Sequence, residues 1–296
     1  MNLLRFGFDQ VSRLGLCLLL IAIAAGCSGA DDEENVPSAD APAQRAPAGA
    51  SLLPAGAVDG GSLSPRALAR AFSELKVDGV GVELLDQGGE PVLLVRVAID
   101  AMEPVLIGGR PGGVTAADAL REAQVVVGSG FVSHVSSLSP VGLLQIDGEM
   151  LSEMQPYGYT RVLGLRSDSL GVLGHREFHR GMYPSAVQLG PGIVEQGLLD
   201  ISERDLTRPR YLRAFIATCG RTALAGVTLR PAHLHTLGKR LIEHFRGAGL
   251  VCDEVVNLAG DREAVLAMAA EDGERFAYFG HPHKAKATLI GFRRRV

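Results

Sequence analysis

Three groups of residues in this chain have side chains able to do chemistry, and their spacing decides which could act together. His233 and His235, and His281 and His283, form two His-x-His pairs. The first pair opens a predicted helix, where residues two apart face away from each other, and the second flanks Pro282 in a predicted turn. Both pairs read as surface histidines, so no metal and no cofactor is expected. His175, Arg176, His179 and Arg180 make a short basic loop that reads as solvated. No Gly-x-Gly-x-x-Gly, Walker loop or His-Glu-x-x-His occurs, and Gly128-Ser129-Gly130 lacks the spacing of a nucleophile elbow.

The third group is a set of glycine-rich corners at the ends of apolar runs: Gly128 to Phe131, Gly190-Pro191-Gly192, Gly220-Arg221-Thr222 and Asn257 to Asp261. Loops at strand ends carry function more often than the strands themselves. Arg221 stands out there, because a planar guanidinium suits a phosphate or a carboxylate and keeps its charge. An arginine in such a place equally suits a structural pairing with a carboxylate or with backbone carbonyls of its own domain.

The elements between the corners must position them. Ser64-Pro65 has the form of a helix start, a capping serine with proline at the first helical position. Strand-like runs cover Gly79 to Leu85 and Val92 to Ile99, joined by turn residues. A short helix capped by Thr115 is predicted to reach Ala123, before a buried strand from Gln124 to Val127. Val141 to Ile146 alternates into the Asp147-Gly148 turn, and short apolar runs follow at 160–165, 185–189, 211–218 and 222–229. The longest predicted helix starts at Pro231, carries Leu234, Leu237, Leu241 and Phe245 at helical spacing, and stops at Gly247 and Gly249. A strand at 251–258, a second helix from about Arg262 to Ala270, and strands at 275–279 and 287–292 follow. The expected class is α+β, a mixed β-sheet with packed helices.

The N-terminus reads as an address. Arg5 and Arg13 precede an apolar run from Leu14 to Ala25, about a dozen residues, short for a bilayer span and right for a signal peptide. Ala24-Ala25-Gly26-Cys27 then has the small-small-Cys form of a lipobox, in which Cys27 is lipidated and becomes the new N-terminus. Residues 28–64 hold the acidic run Asp31 to Glu34 and then mostly Ala, Pro, Gly and Ser, too little apolar surface to offset ordering, and read as a disordered tether. The expected organisation is therefore a signal peptide (1–27), a tether (28–64) and one domain (65–296). That chain would face the periplasm or exterior, anchored to a membrane by lipid, and Ser28 after Cys27 fits outer-membrane sorting. With a net charge of −4, no Trp and 5% aromatics, the chain has neither a basic face nor a stacking platform for bases, which argues against nucleic acid as a partner. Cys219 and Cys252 remain in the domain, where the sequence allows either a disulfide or two buried thiols.

Taken in order, the corners resemble the phosphodiester glycosidase domain, the family of the enzyme that uncovers mannose 6-phosphate. Val125 to Phe131 is similar to a family strand ending in Asn-x-Gly-Phe-Phe. Pro140 to Leu144 and Asp147-Gly148 resemble its proline-glycine strand and Asp-Gly turn. Leu189-Gly190-Pro191-Gly192-Ile193-Val194 resembles its Gly-Pro-x-Leu-Val segment, and Arg221 to Val227 its Arg-Thr-Ala-Ile-Gly strand. Glu254 to Leu258 resembles the approach to its Asn-Leu-Asp-Gly-Gly-Gly-Ser-Ser loop. The resemblance implies that Arg221 clamps a phosphate, that Asp261 or Asp147 supplies the carboxylate, and that Gly130, Phe131, Thr222, Asn257 and Gly260 contact a sugar-1-phosphodiester. The implied partner is thus a carbohydrate or glycan phosphate. The departures are Gly128 for the Asn, Val132 for the second Phe, Ala259 for the Asp, and Asp261-Arg262-Glu263 where Gly and Ser are expected. Losing a positioned carboxylate costs a hydrolase orders of magnitude, so weak or lost activity, leaving a glycan-binding or structural protein, is the alternative expectation.

Overall fold

Short apolar runs separated by turn residues fold back on one another, and antiparallel pairing dominates the computed structural model, which describes residues 58–59, 63–134 and 137–295. A six-stranded sheet runs in the order β1 (Val58–Asp59), β19 (Phe276–Gly280), β18 (Val265–Ala269), β5 (Val125–Ser129), β20 (Thr288–Arg294), β4 (Met102–Gly108). A seven-stranded sheet runs β14 (Leu198–Leu199), β13 (Gly192–Glu195), β17 (Glu254–Gly260), β15 (Arg213–Cys219), β16 (Thr222–Thr228), β3 (Val92–Ala98), β2 (Val80–Leu85). A five-stranded sheet runs β11 (Ser169–Gly174), β10 (Arg161–Arg166), β12 (Ser185–Leu189), β8 (Leu144–Ile146), β9 (Glu149–Ser152), and β6 (Phe131–His134) pairs with β7 (Ser139–Val141). Among the described residues only β1 and β19 pair in parallel. Val58–Asp59, inside the segment read as tether, thus join the edge of a sheet.

This overturns the expected α+β class with a mixed sheet and packed helices. The fold is β-rich and antiparallel, and the described residues hold three α-helices, α1 (Pro65–Ser73), α2 (Ala116–Ala119) and α3 (Leu234–Gly247). The helix expected over 262–270 is a short 3₁₀ turn, Asp261–Glu263, followed by β18. The alanine-rich run from Ala264 to Ala270 is buried at every position, wedged between β19 and β5. Neighbours on both edges pair its backbone, one face (Leu266, Met268) enters the main core and the other (Val265, Ala267, Ala269) packs with Ala116 and Ala119 of α2, and that tertiary context outweighs the helix propensity of alanine.

The core lies among the three sheets. Phe72 of α1, Val95, Val127, Leu163, Ile216, Leu266 and Phe292 meet there with almost no exposure. The far face of the seven-stranded sheet is covered by α3, whose Leu237, Leu241 and Phe245 pack on Leu94, Phe215 and Leu224. Each such side chain contributes about 1.5–3 kcal/mol on burial. His233 and His235 are buried at the start of α3 rather than on the surface, and the Asp205 carboxylate accepts the His235 backbone N–H at 3.0 Å. Cys219 and Cys252 form a disulfide beneath α3, joining the end of β15 to the approach to β17.

Candidate functional site

Three chain segments meet at one corner of the six-stranded sheet: the exit of β5, the exit of β17 and the entry of β20. At the β5 exit, Gly130 has φ +76°, and a Cβ there would stand 2.6 Å from Thr288 Oγ1. Only glycine meets both conditions, so the turn that aims Phe131 is fixed by this residue. Thr288 pairs with Ser129 across the ladder and donates its hydroxyl to the Ser129 carbonyl at 3.3 Å. Phe131 is half-buried, with its ring 4.7 Å from that of Tyr159.

At the β17 exit the chain passes Gly260 into the 3₁₀ turn and presents Glu263 to two lysines. Lys286 Nζ lies 2.8 Å from Glu263 Oε2 and donates to the Arg262 carbonyl at 2.9 Å, while Lys284 bonds the other carboxylate oxygen. The Lys286 side chain is only 3% exposed. Burial would push the Glu263 carboxyl up, but the hydrogen bonds and charges of Lys284 and Lys286 together outweigh it and hold it below its ordinary range. Burial lowers the Lys286 ammonium against the opposing pull of Glu263. A cavity of about 200 Å³ opens over this group, lined by Ser129, Gly130, Phe131, Gly260, Glu263 and Lys286 among others.

The turn after β17 also accounts for the glycine at position 128. A Cβ on Gly128 would stand 2.8 Å from the Glu263 carbonyl oxygen and 3.2 Å from a Val265 methyl. The backbone of the turn before β18 thus leaves no room for a side chain at position 128.

The expected site residues do not all converge. Gly130, Phe131 and Gly260 line the cavity together. Arg221 stands at the β15–β16 turn, where it pairs with Asp100, and both side chains are mostly exposed. Gly260 pairs with Arg213, at the other end of β15 from Cys219 and Arg221. At ~3.3 Å per residue along the strand, Arg221 is ~20 Å from the cavity. Thr222 begins β16 at that same remote end, opposite Ala98. Asp147 sits in the β8–β9 turn, its N–H donating to Ser185 Oγ at 3.1 Å, and lines a separate cleft of about 610 Å³ with Arg293. Asn257 is buried and donates to the Gly190 carbonyl at 3.3 Å, holding the Gly190-Pro191 corner rather than facing the cavity. Asp261 is exposed, with φ 51°, and donates its backbone N–H to the Leu212 carbonyl. Cys27 lies outside the described residues.

Sequence reasoning missed Glu263, Lys286 and Arg213. Arg213 is half-buried against the Tyr211 ring, 5.1 Å from its centroid. Burial pushes its guanidinium down, opposed by the charges of Asp205 and Asp261. Arg213 opens an apolar strand run that is visible in the sequence, but nothing there marks it as half-buried against Tyr211. Nothing in the sequence marks Lys286 as buried.

No family model matches this chain, and no curated protein sequence matches it. Solved structures do. The catalytic domain of zebrafish N-acetylglucosamine-1-phosphodiester alpha-N-acetylglucosaminidase, auto-inhibited by its pro-peptide, is similar over 73% of this chain and 82% of that one, at 13% identity and a TM-score of 0.53. A hypothetical protein from Synechocystis is similar over 73% of this chain and 62% of that one, at 12% identity and a TM-score of 0.51. At such identities the likeness is one of fold: this chain is folded similarly to a phosphodiester glycosidase catalytic domain.

Proposed function

We propose that this chain is an exported, lipid-anchored protein whose domain recognises sugar-1-phosphodiesters of envelope glycans without turning them over. The observation that carries this reading is the engagement of Glu263 by Lys284 and Lys286. Glu263 is the sole carboxylate among the described residues lining the cavity. Held ionised by two lysines, it has no proton to give a leaving group, and as a nucleophile it would have to leave both partners. The pair of lysines leaves one positive charge in excess, which suits a phosphodiester, and the carboxylate accepts from sugar hydroxyls. The Cys219–Cys252 disulfide accords with an oxidising compartment outside the cytoplasm. No described helix is long and apolar enough to cross a membrane; the anchor in this reading is the lipid on Cys27.

The test is a panel of sugar-1-phosphodiesters offered to the purified chain and its Lys286→Met variant. Saturable binding that weakens at least tenfold in the variant, with no sugar released, is the expected result. Sugar release that stops in Glu263→Gln would replace this reading with a working hydrolase. For the anchor, metabolic labelling with palmitate should mark the wild-type chain and leave Cys27→Ser unlabelled.

A further inference from the structure

We propose that the rings of Phe131 and Tyr159 form a stacking wall for a second pyranose ring, so that the pocket's ligand is an oligosaccharide phosphodiester rather than a single sugar phosphate. The inference rests on the reading of the Lys286 pocket given above and extends it to the space outside that pocket.

Phe131 lines the cavity, and the Tyr159 ring stands 4.7 Å from it at an interplanar angle of 34°. Both rings are half-buried, and neither belongs to any of the hydrophobic clusters of the core. The pair is therefore apolar surface left open beside a polar pocket. The chain has five tyrosines and no tryptophan, and two of the tyrosines fall within three residues here, Tyr157 being 85% exposed.

That loop is held in place from beneath. Gln188, fully buried, donates to the carbonyls of Gln155 at 2.7 Å and Tyr159 at 2.8 Å. Its own carbonyl accepts the N–H groups of Gln155 at 2.8 Å and Leu143 at 3.1 Å. Every hydrogen-bonding position of the amide is used, and all but one go to the segment bearing Tyr159. On the other side of the pair, Gly130 fixes the direction of Phe131 through its positive φ. Two rings preset by independent backbone restraints lose little freedom on binding, which is the condition for an effective subsite. The C–H faces of a pyranose pack on such rings while its hydroxyl rim stays in water. A phosphate seated by Lys286 leaves the rest of a glycan to run past Phe131, the ring shared by pocket and wall.

Binding to the full-length chain is measured with three probes. Glucose 1-(methyl phosphate) has one ring, maltose 1-(methyl phosphate) adds a ring on the sugar side, and glucose-1-phospho-6-glucose adds one across the phosphate. At least one two-ring probe should bind on the order of tenfold more tightly than the one-ring probe. Tyr159→Ala should abolish that gain and leave one-ring binding unchanged, whereas Phe131→Leu, at the ring shared with the pocket, should abolish the gain and weaken one-ring binding as well. Tyr159→Phe should keep the gain, and Tyr157→Ala should change neither. The inference is overturned if the second ring adds nothing, if the gain survives both substitutions, or if Tyr159→Ala weakens all probes alike. In each of those cases Lys286-dependent binding of the one-ring probe preserves the pocket reading. If no probe binds, the pocket reading and this inference fall together.

Discussion

Arg213 stands directly opposite Gly260 in the ladder between β15 and β17, while Arg221, eight positions on, pairs with Asp100 at the far end of the same hairpin. The two arginines are close in sequence and far apart in role. Replacing Arg221 by Ala should leave ligand binding and the unfolding midpoint unchanged, because its ion pair is exposed and solvent-screened. Replacing Arg213 by Ala should cost about 1–3 kcal/mol through lost contact with the Tyr211 ring and lost hydrogen bonding, and should weaken binding at the nearby pocket. Chemical denaturation and titration of both variants decide the matter.

The buried end of the Lys286–Glu263 pair sets a second expectation. Lys286→Met strands a carboxylate that keeps only Lys284 and partial solvent. The loss should be about 2–4 kcal/mol, less than for a fully enclosed pair. Adding Glu263→Gln to that variant should return part of the stability, since the uncompensated charge is then gone. A double variant as unstable as the sum of the singles would show that the two side chains act independently.

Acid and base should act oppositely on two carboxylates. Burial raises Glu254 above its ordinary value of 4.5, with the nearby Glu195 and Asp200 adding to it against Arg161 and the Gln196 N–H. A raised carboxyl binds its proton more readily folded than unfolded, so its contribution is present below pH 4.5 and is lost as pH rises through the shifted value. Glu254→Gln should therefore raise the melting temperature at neutral pH, and the gain should fade as the pH falls into the ordinary carboxylate range. Glu263 is lowered, so its contribution is present above 4.5 and is lost as pH falls through its depressed value. Glu263→Gln should accordingly flatten the acid limb of the melting curve against pH.

Placing an asparagine at position 128 should destabilise the chain without conferring hydrolysis. Gly128→Asn must displace the Glu263 carbonyl, a backbone atom, and overpacking of that kind typically costs about 1–3 kcal/mol. A fall in melting temperature of about 2–4 °C per kcal/mol is expected, with no sugar release. A Gly128→Asn variant of unchanged stability would mean that the 261–263 turn moves aside freely.

Much of the scaffold was legible in the residues. The capping serine at 64, the glycine stop after α3 and the alternating strand runs all follow from local chemistry, and the elements they announce are present. The 262–270 segment was misread because alanine and leucine favour a helix locally, while burial against β5 and β19 is a fact of the whole fold. The cavity was half legible. Gly130, Phe131 and Gly260 sit at corners that glycine announces. Glu263 and Lys286 lie 23 residues apart in charged, ordinary-looking loops, and only the fold, which sets the turn after β17 beside the segment entering β20, brings them together.

The disulfide makes part of the chain a closed covalent circuit. Cys219 and Cys252, 33 positions apart, enclose β16 and the whole of α3. A protease that cuts one peptide bond inside that circuit liberates nothing: both ends stay joined through sulfur, and α3 remains over the sheet it covers. Two cuts are needed to set a fragment free, or one cut together with a reductant. A chain nicked once in this way would carry a severed backbone between β16 and β17 and still present its Lys286 pocket intact.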